Sequence, residues 1–294
     1  MRNESGSPIA PYDVTAHTLP LLLGSKAEAV YRAIRTMGTV RVELVGAPNA
    51  IPSATGFDSH TGLYKSHVPS MDEGWTRWVL EQEGSSYRTL RDSDIRANSL
   101  RPKYDTIIIP DQPRAAILNG HRKGTMPDEY TGGLGERGVK ALREFVEAGG
   151  TLVCLNRASD FAIEQFKLPV RDVVDGLPRT DFYVPGSILR IELDTNDPIA
   201  QEMPKESIAW VENSPVFEVL ELSTLQLHVI AWYPKDKDPL LSGWLLGGDR
   251  IKGKAALVEV ELGKGRIILF GFRPQYRGQS LATYPLFFNA ITQR

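Results

Sequence analysis

The chain has 294 residues, 41% of them hydrophobic, with 34 Lys and Arg against 36 Asp and Glu. That length supports one large domain or two smaller ones, and the net charge of -2 leaves no basic footprint for nucleic acid or an anionic membrane. The single cysteine, Cys154, excludes an intrachain disulfide framework, and no apolar stretch approaches the ~20 residues of a spanning helix.

Residues 1–60 read as an irregular N-terminal segment. Met1–Pro11 is polar with scattered charge, unlike a basic-then-apolar leader, and Arg2–Pro11 has the Gly, Pro and Ser content of an entry linker. The expectation is a fragment of something longer. Ala27–Met37 reads as a short helix, Val40–Val45 as a strand, and 48–60 as a loop. Regular patterning begins with a short strand at Gly62–His67. Ser70 then caps a helix running to about Glu83, with Glu73 at the capping-box position. Trp75, Trp78 and Val79 share one face of it at i, i+3, i+4 spacing.

The β-branched run Thr106–Ile109 predicts a buried parallel strand, followed by a long loop over 111–134. Glu136–Ala148 reads as a helix with the apolar stripe Val139, Leu142, Phe145 and Val146, stopped by Gly149. Thr151–Leu155 is a second buried strand, so strand, helix and strand form a βαβ unit and call for a parallel sheet. Beyond Leu177 the pattern turns β-rich, with strands at Ser187–Leu193, Leu225–Tyr233, Ala255–Leu262 and Arg266–Phe272. Gly263–Lys264–Gly265 marks a hairpin between the last two, and Leu281–Ile291 closes the chain as a helix with Pro285 in its first turn.

Two positions after strands carry the most information. Asn156 follows Thr151–Leu155, and Gly-Phe-Arg-Pro-Gln (271–275) follows the last strand. In order and placement these motifs, from about Gly62 onward, resemble the class I glutamine amidotransferase-like fold, in which a cysteine nucleophile and a Gln-Phe-His-Pro-Glu string stand at those two places. Longer strings resemble the C-terminal region behind the catalytic domain of some bacterial M14-type zinc carboxypeptidase-like proteins. They are Pro11–Tyr12–Asp13–Val14–Thr15 with Thr18–Leu19–Pro20, the run Met71–Trp78, Tyr104–Asp105 with Ile107–Asp111, and Gly271–Gln279.

These resemblances imply an α/β fold. Its flavodoxin-like, class I glutamine amidotransferase-like parallel sheet would carry helices on both faces and β-rich additions over 61–294. Carried over, nucleophile, base and orienting acid fall on Asn156, Arg273 and Gln275, and none fits. An amide is no covalent nucleophile at neutral pH, and a guanidinium is no base. The M14 zinc site needs a His-x-x-Glu pair, yet none of His17, His60, His67, His121 and His228 has Glu three residues on. The peptidase chemistry is therefore expected in a preceding domain.

The candidate site is a polar rim beyond the strand ends: Asp111, Gln112, Asn156, Arg157, Arg273, Gln275, Arg277 and Gln279. Ligands of open α/β sheets bind there, and arginines there suit a small anion. The same residues equally suit internal ion pairs that replace a lost active site. Cys154 reads as a small core residue rather than a displaced nucleophile. His67 and His121 are the candidate ligands for a divalent metal, although lone histidines are more often surface or hydrogen-bonded residues. Asp194–Pro198 reads as a turn, and Trp75 with Trp78 as core or interface packing. Ser159, Ser187 and Ser242 all lack the flanks of an esterase elbow.

The expected function is a catalytically silent binding or assembly module of a carboxypeptidase-like protein, partnered by an adjacent catalytic domain or a second copy. The competing expectation is a small hydrolase of amide, ester or lactone bonds working from the rim, metal-assisted or not. No cofactor is called for, and the parent proteins are expected to be exported.

Overall fold

The computed structural model describes residues 60–97, 99–220 and 225–293. The expected elements at Ala27–Met37 and Val40–Val45, the linker, and the 11–20 strings lie outside the described residues. In chain order the elements are β1 (Thr61–Tyr64), α1 (Met71–Gln82), β2 (Arg88–Leu90), α2 (Asp92–Arg96), β3 (Thr106–Ile109), α3 (Arg114–Asn119), α4 (Gly135–Glu147) and β4 (Thr151–Leu155). Next come α5 (Ala158–Phe166), β5 (Val170–Asp172), β6 (Pro185–Leu193), β7 (Glu206–Glu212), β8 (Phe217–Val219), β9 (Leu227–Trp232) and β10 (Leu240–Ser242). Last are β11 (Ala255–Leu262), β12 (Gly265–Phe270) and α6 (Tyr284–Thr292).

The strand order decides the fold. Parallel pairing joins β2 to β1, β1 to β3, β3 to β4 and β4 to β12. The order β2-β1-β3-β4-β12 is the 2-1-3-4-5 of flavodoxin-like sheets, with the direction of winding reversing between β1 and β3. The apolar runs of β3 and β4 are buried at every position, as strands covered on both faces must be.

Alternate side chains of these strands feed two cores. Leu63, Ile108, Val153 and Phe270 pack with Leu80 of α1 and with Leu286, Phe287 and Ala290 of α6. Ile107, Ile109, Leu152 and Cys154 pack on the other face with Ile95, Ile117, Leu142, Phe145 and Phe161 of α2 to α5. The chain is thus an α/β protein of flavodoxin-like, class I glutamine amidotransferase-like fold with helices on both faces.

The β-rich additions extend the same sheet. β11 and β12 form the expected hairpin, Leu262 facing Gly265 across the Gly263–Lys264 turn, with Gly263 at φ +66°. A Cβ there would also lie 2.7 Å from the Glu147 Cα, so glycine is needed twice over. Beyond β11 lie β9, β6 and β7, all antiparallel.

Several expectations shift. The first strand ends at Tyr64, short of His67. The supposed loop 111–134 contains α3 and a 3₁₀ turn at Asp128–Tyr130, and α5, β5, β7, β8 and β10 carry no strong sequence signal. Helix α1 is capped as expected, the Ser70 hydroxyl accepting from the Glu73 amide at 3.1 Å. Its inward face differs, however: Asp72, Thr76, Val79 and Leu80 are buried, while Trp75 is half-buried and Trp78 is 43% exposed. Among the described residues no helix is long and apolar enough to cross a membrane.

Candidate functional site

β3 ends at Ile109, and Asp111, two residues on, becomes the centre of the rim. Its carboxylate is 2% exposed and accepts from three residues. Asn156 Nδ2 donates to Oδ1 at 3.0 Å, as do the Arg157 amide at 3.1 Å and Arg157 Nε at 2.9 Å. Arg157 Nη2 and Arg273 Nη2 donate to Oδ2 at 2.8 and 2.7 Å. Burial alone would raise the pKa of Asp111, but the hydrogen bonds from Arg157 and the charge of Arg273 overcome it and hold the carboxyl below its usual range.

Arg273 is engaged on every side. Nη1 donates to the Glu212 carbonyl at 2.6 Å and lies 3.7 Å from the Glu212 carboxylate. Nε stands 3.2 Å from Asp72 Oδ1, close enough for an ion pair but out of line for a hydrogen bond. Asp72 is pushed the other way from Asp111: burial raises its pKa, Arg273 only partly opposes this, and the Asp111 charge adds to it. One guanidinium therefore serves two buried carboxylates whose pKa values are shifted in opposite directions.

The turn from β4 into α5 has a strained backbone. Asn156 adopts φ +53° between β4 and α5, a left-handed conformation that asparagine tolerates better than most side chains. It is fully buried, and its Oδ1 has no partner. Gln275 is also fully buried; its Nε2 donates to Thr76 Oγ1 at 2.9 Å and its Oε1 is likewise unpaired.

The eight candidate residues therefore divide. Asp111, Asn156, Arg157 and Arg273 converge into one network. Gln275 adjoins it through Thr76 on α1, and Gln112 turns away, its Nε2 donating to the Val68 carbonyl at 2.8 Å. Arg277 and Gln279 are exposed and do not enter the rim. Asp72, Thr76 and Glu212 belong to the network and were not among the sequence candidates. The signal for two of them was present: Asp72 and Thr76 fall on the same helical face as Val79 and Leu80, a polar pair on an otherwise core-facing side.

The other singled-out residues have structural roles. Cys154 is buried within β4 among apolar neighbours, and burial pushes its thiol pKa up, away from thiolate chemistry. The Ser159 hydroxyl lies 3.1 Å from the Cys154 carbonyl and 3.0 Å from that of Phe270, bridging β4 and β12. His121 Nε2 pairs with the His67 carbonyl at 3.2 Å, and the His67 ring meets Tyr130 edge-on at 5.2 Å. The metal expectation for these two is not supported, since among the described residues no three His, Cys, Asp or Glu side chains converge as a ligand set. Asp194 accepts from Asn196 and Asp197 caps Pro198–Ala200, the turn expected there.

Two cavities lie away from the network. One of about 710 Å³ lies at the opposite, amino-terminal ends of the strands, lined by Thr61, Thr106, Thr151 and Arg266. A smaller one of about 220 Å³ lies beside β1 and β3, lined by Lys65, Ser70, Glu73 and Gln112. Neither includes Asp111, Asn156, Arg157 or Arg273 among its lining residues.

No model of a known protein family matches the chain, and no curated protein matches it. Among solved structures it is similar to a ThuA-like protein from Bacteroides uniformis, at 10% identity over 79% of this chain and 91% of that one, with a TM-score of 0.44. It is also similar to a GMP synthase subunit from Thermoplasma acidophilum, at 11% identity over 79% and 92% of the two chains, TM-score 0.46. A third similar structure is a β-galactosidase from Bacillus circulans, at 13% identity over 79% of this chain and 30% of the enzyme, TM-score 0.47. The strand order, not these distant likenesses, establishes the fold.

Proposed function

We propose that the chain is a catalytically silent amidotransferase-like domain serving as a binding or assembly module of a carboxypeptidase-like protein. The single observation that carries this reading is the occupation of the rim. The place where a nucleophile, base and acid would act is filled by Asp111, Arg273, Arg157 and Asn156, hydrogen-bonded to one another. A reacting centre needs an accessible nucleophile next to a titratable base, and neither a buried amide nor a guanidinium locked on a carboxylate supplies one. Such a network instead fixes the ends of β3, β4 and β12 to α1 and to β7, making a rigid scaffold for surfaces displayed around it.

The hydrolase alternative has less support, because Asp111, Asn156, Arg273 and Gln275 are buried and the partly exposed Arg157 is ion-paired to Asp111. The module reading is tested by sedimentation velocity of the chain, alone and mixed with the zinc carboxypeptidase domain of a protein that carries both regions. Formation of a self-assembly or a mixed complex is expected. A monomer that ignores the catalytic domain at tens of micromolar, on the order of weak interface affinities, would contradict it.

A further inference from the structure

Helix α1 buries polar as well as apolar residues, and leaves large apolar side chains outside. It turns Asp72 and Thr76 inward beside Val79 and Leu80, and on its other side carries Met71, Trp75 and Trp78 at i, i+4 and i+7, with Met71 and Trp78 exposed and Trp75 half-buried. Met71 is 57% exposed and Trp78 43%, and the two indoles meet edge-on at 5.9 Å. The loop after β12 meets α1 at Trp78. A Cβ on Gly278 would stand 2.4 Å from the Trp78 ring, so the loop backbone is pressed against that indole, and Leu281 three residues on is 42% exposed.

The same loop displays a cation. Arg277 has φ +45°, a conformation that costs an ordinary side chain about 1–2 kcal/mol. Its guanidinium lies over the Tyr276 ring at 5.1 Å, and Tyr276 is itself stacked on Trp210 at 4.1 Å and 15°. Among the described residues Arg277 has no carboxylate partner, in contrast to Arg157 and Arg273, which both pair with Asp111. A strained backbone and an aromatic stack thus hold an unpaired charge at the edge of an exposed apolar stripe. Pre-organised cations of this kind lose little entropy when a carboxylate arrives.

We infer that the surface formed by Met71, Trp75 and Trp78 of α1 with Arg277 and Leu281 docks a protein segment presenting a carboxylate beside an apolar side chain. The inference rests on the module reading and names where and what such a module would bind. Charge complementarity selects the carboxylate, and the adjoining indoles and aliphatic side chains select its apolar neighbour. Aromatic and arginine side chains are the usual carriers of binding energy at such surfaces.

The test uses a random-peptide display library selected on the full chain, with counter-selection on the Arg277→Glu variant. Enriched peptides are expected to share an Asp or Glu next to an aromatic or aliphatic residue. A synthetic peptide from that set should lose about tenfold or more in affinity on Arg277→Ala and on Trp78→Ala. Arg277→Gly keeps the left-handed backbone without strain, so it should melt at a higher temperature than wild type and still lose the peptide.

No enrichment, winners without an acidic residue, or binding indifferent to Arg277→Gly would each overturn the inference. So would self-association that Trp78→Ala abolishes, which would assign the face to a second copy. Hydrolysis measured on the same samples separates the two ideas. Turnover would count against the silent module, whereas peptide indifference without turnover would remove only the docking assignment.

Discussion

Arg273 Nη2 donates to Asp111 Oδ2 at 2.7 Å across 162 residues of sequence, joining the end of β12 to the end of β3 inside the protein. Both partners are nearly inaccessible, so the pair is held by geometry rather than by solvent-screened attraction. Removing one member of a buried pair strands the other, at a cost of about 3–5 kcal/mol. Arg273→Ala is therefore expected to destabilise strongly, partly offset because Arg157 remains on Asp111. Cys154→Ala removes one sulfur from an apolar core and should cost roughly 1 kcal/mol. Urea titrations of both variants check the order; equal midpoints would show that Arg273 contributes no more stability than one core sulfur.

The elbow offers a test of backbone against side chain. Asn156→Gly keeps the φ of +53° and loses only the hydrogen bond to Asp111, an expected cost of about 1 kcal/mol. Asn156→Val should cost roughly 1–2 kcal/mol more, because a β-branched side chain opposes the left-handed conformation. Asn156→Cys puts a sulfur at the turn after β4, but the Asp111 carboxylate beside it disfavours a thiolate and no base accompanies it. Slow alkylation by iodoacetamide and no amidase or esterase turnover are expected. Fast alkylation would mean that the site is more open and more cationic than described.

Much of this is legible in the residues alone. The β-branched run at Thr106–Ile109, the stripe on 136–148 and the Gly263–Lys264–Gly265 turn each follow from local physics, and each stands as expected. So do the non-matching residues at Asn156, Arg273 and Gln275, whose chemistry is a property of the side chain alone. The division of the rim is not legible, because whether Arg273 or Arg277 turns inward depends on backbone angles set by packing against Trp78 and Trp210. Trp75 and Trp78 pose a related difficulty. Indoles at helical spacing suit a core as well as an interface, and periodicity does not choose; here polar partners for Arg273 and Gln275 claim the inner face. Short strands such as β5 and β8 are three residues long, and their pairing across the sheet is a tertiary fact with no periodic signal.

A second set of acids gives the protein an alkaline liability. Asp160, in the first turn of α5, has its pKa pushed up to about 8 by burial and then by the charges of Asp172 and Asp175, with Arg114 and Arg157 opposing. The folded chain therefore keeps a proton that the unfolded chain loses near 3.8. Stability linked to this group is fully present below that lower value and drains away as pH rises through about 8. Asp111 behaves oppositely: its pKa is depressed, and its contribution is lost only as pH falls through that low value. Asp160→Asn should melt progressively higher than wild type as pH goes from about 5 to about 9, the difference widening with pH. A constant difference would show that Asp160 is ionised throughout.

The proposed silent rim is a network of buried ion pairs and hydrogen bonds at the carboxyl ends of the parallel strands. The most direct check is steady-state hydrolysis by the folded wild-type chain of glutamine and of chromogenic peptide, ester and lactone substrates, with and without chelator. The predicted result is no turnover above that of a heat-denatured sample under either condition. Turnover by the folded chain that disappears in Asp111→Asn, with the circular dichroism of the fold retained, would contradict it.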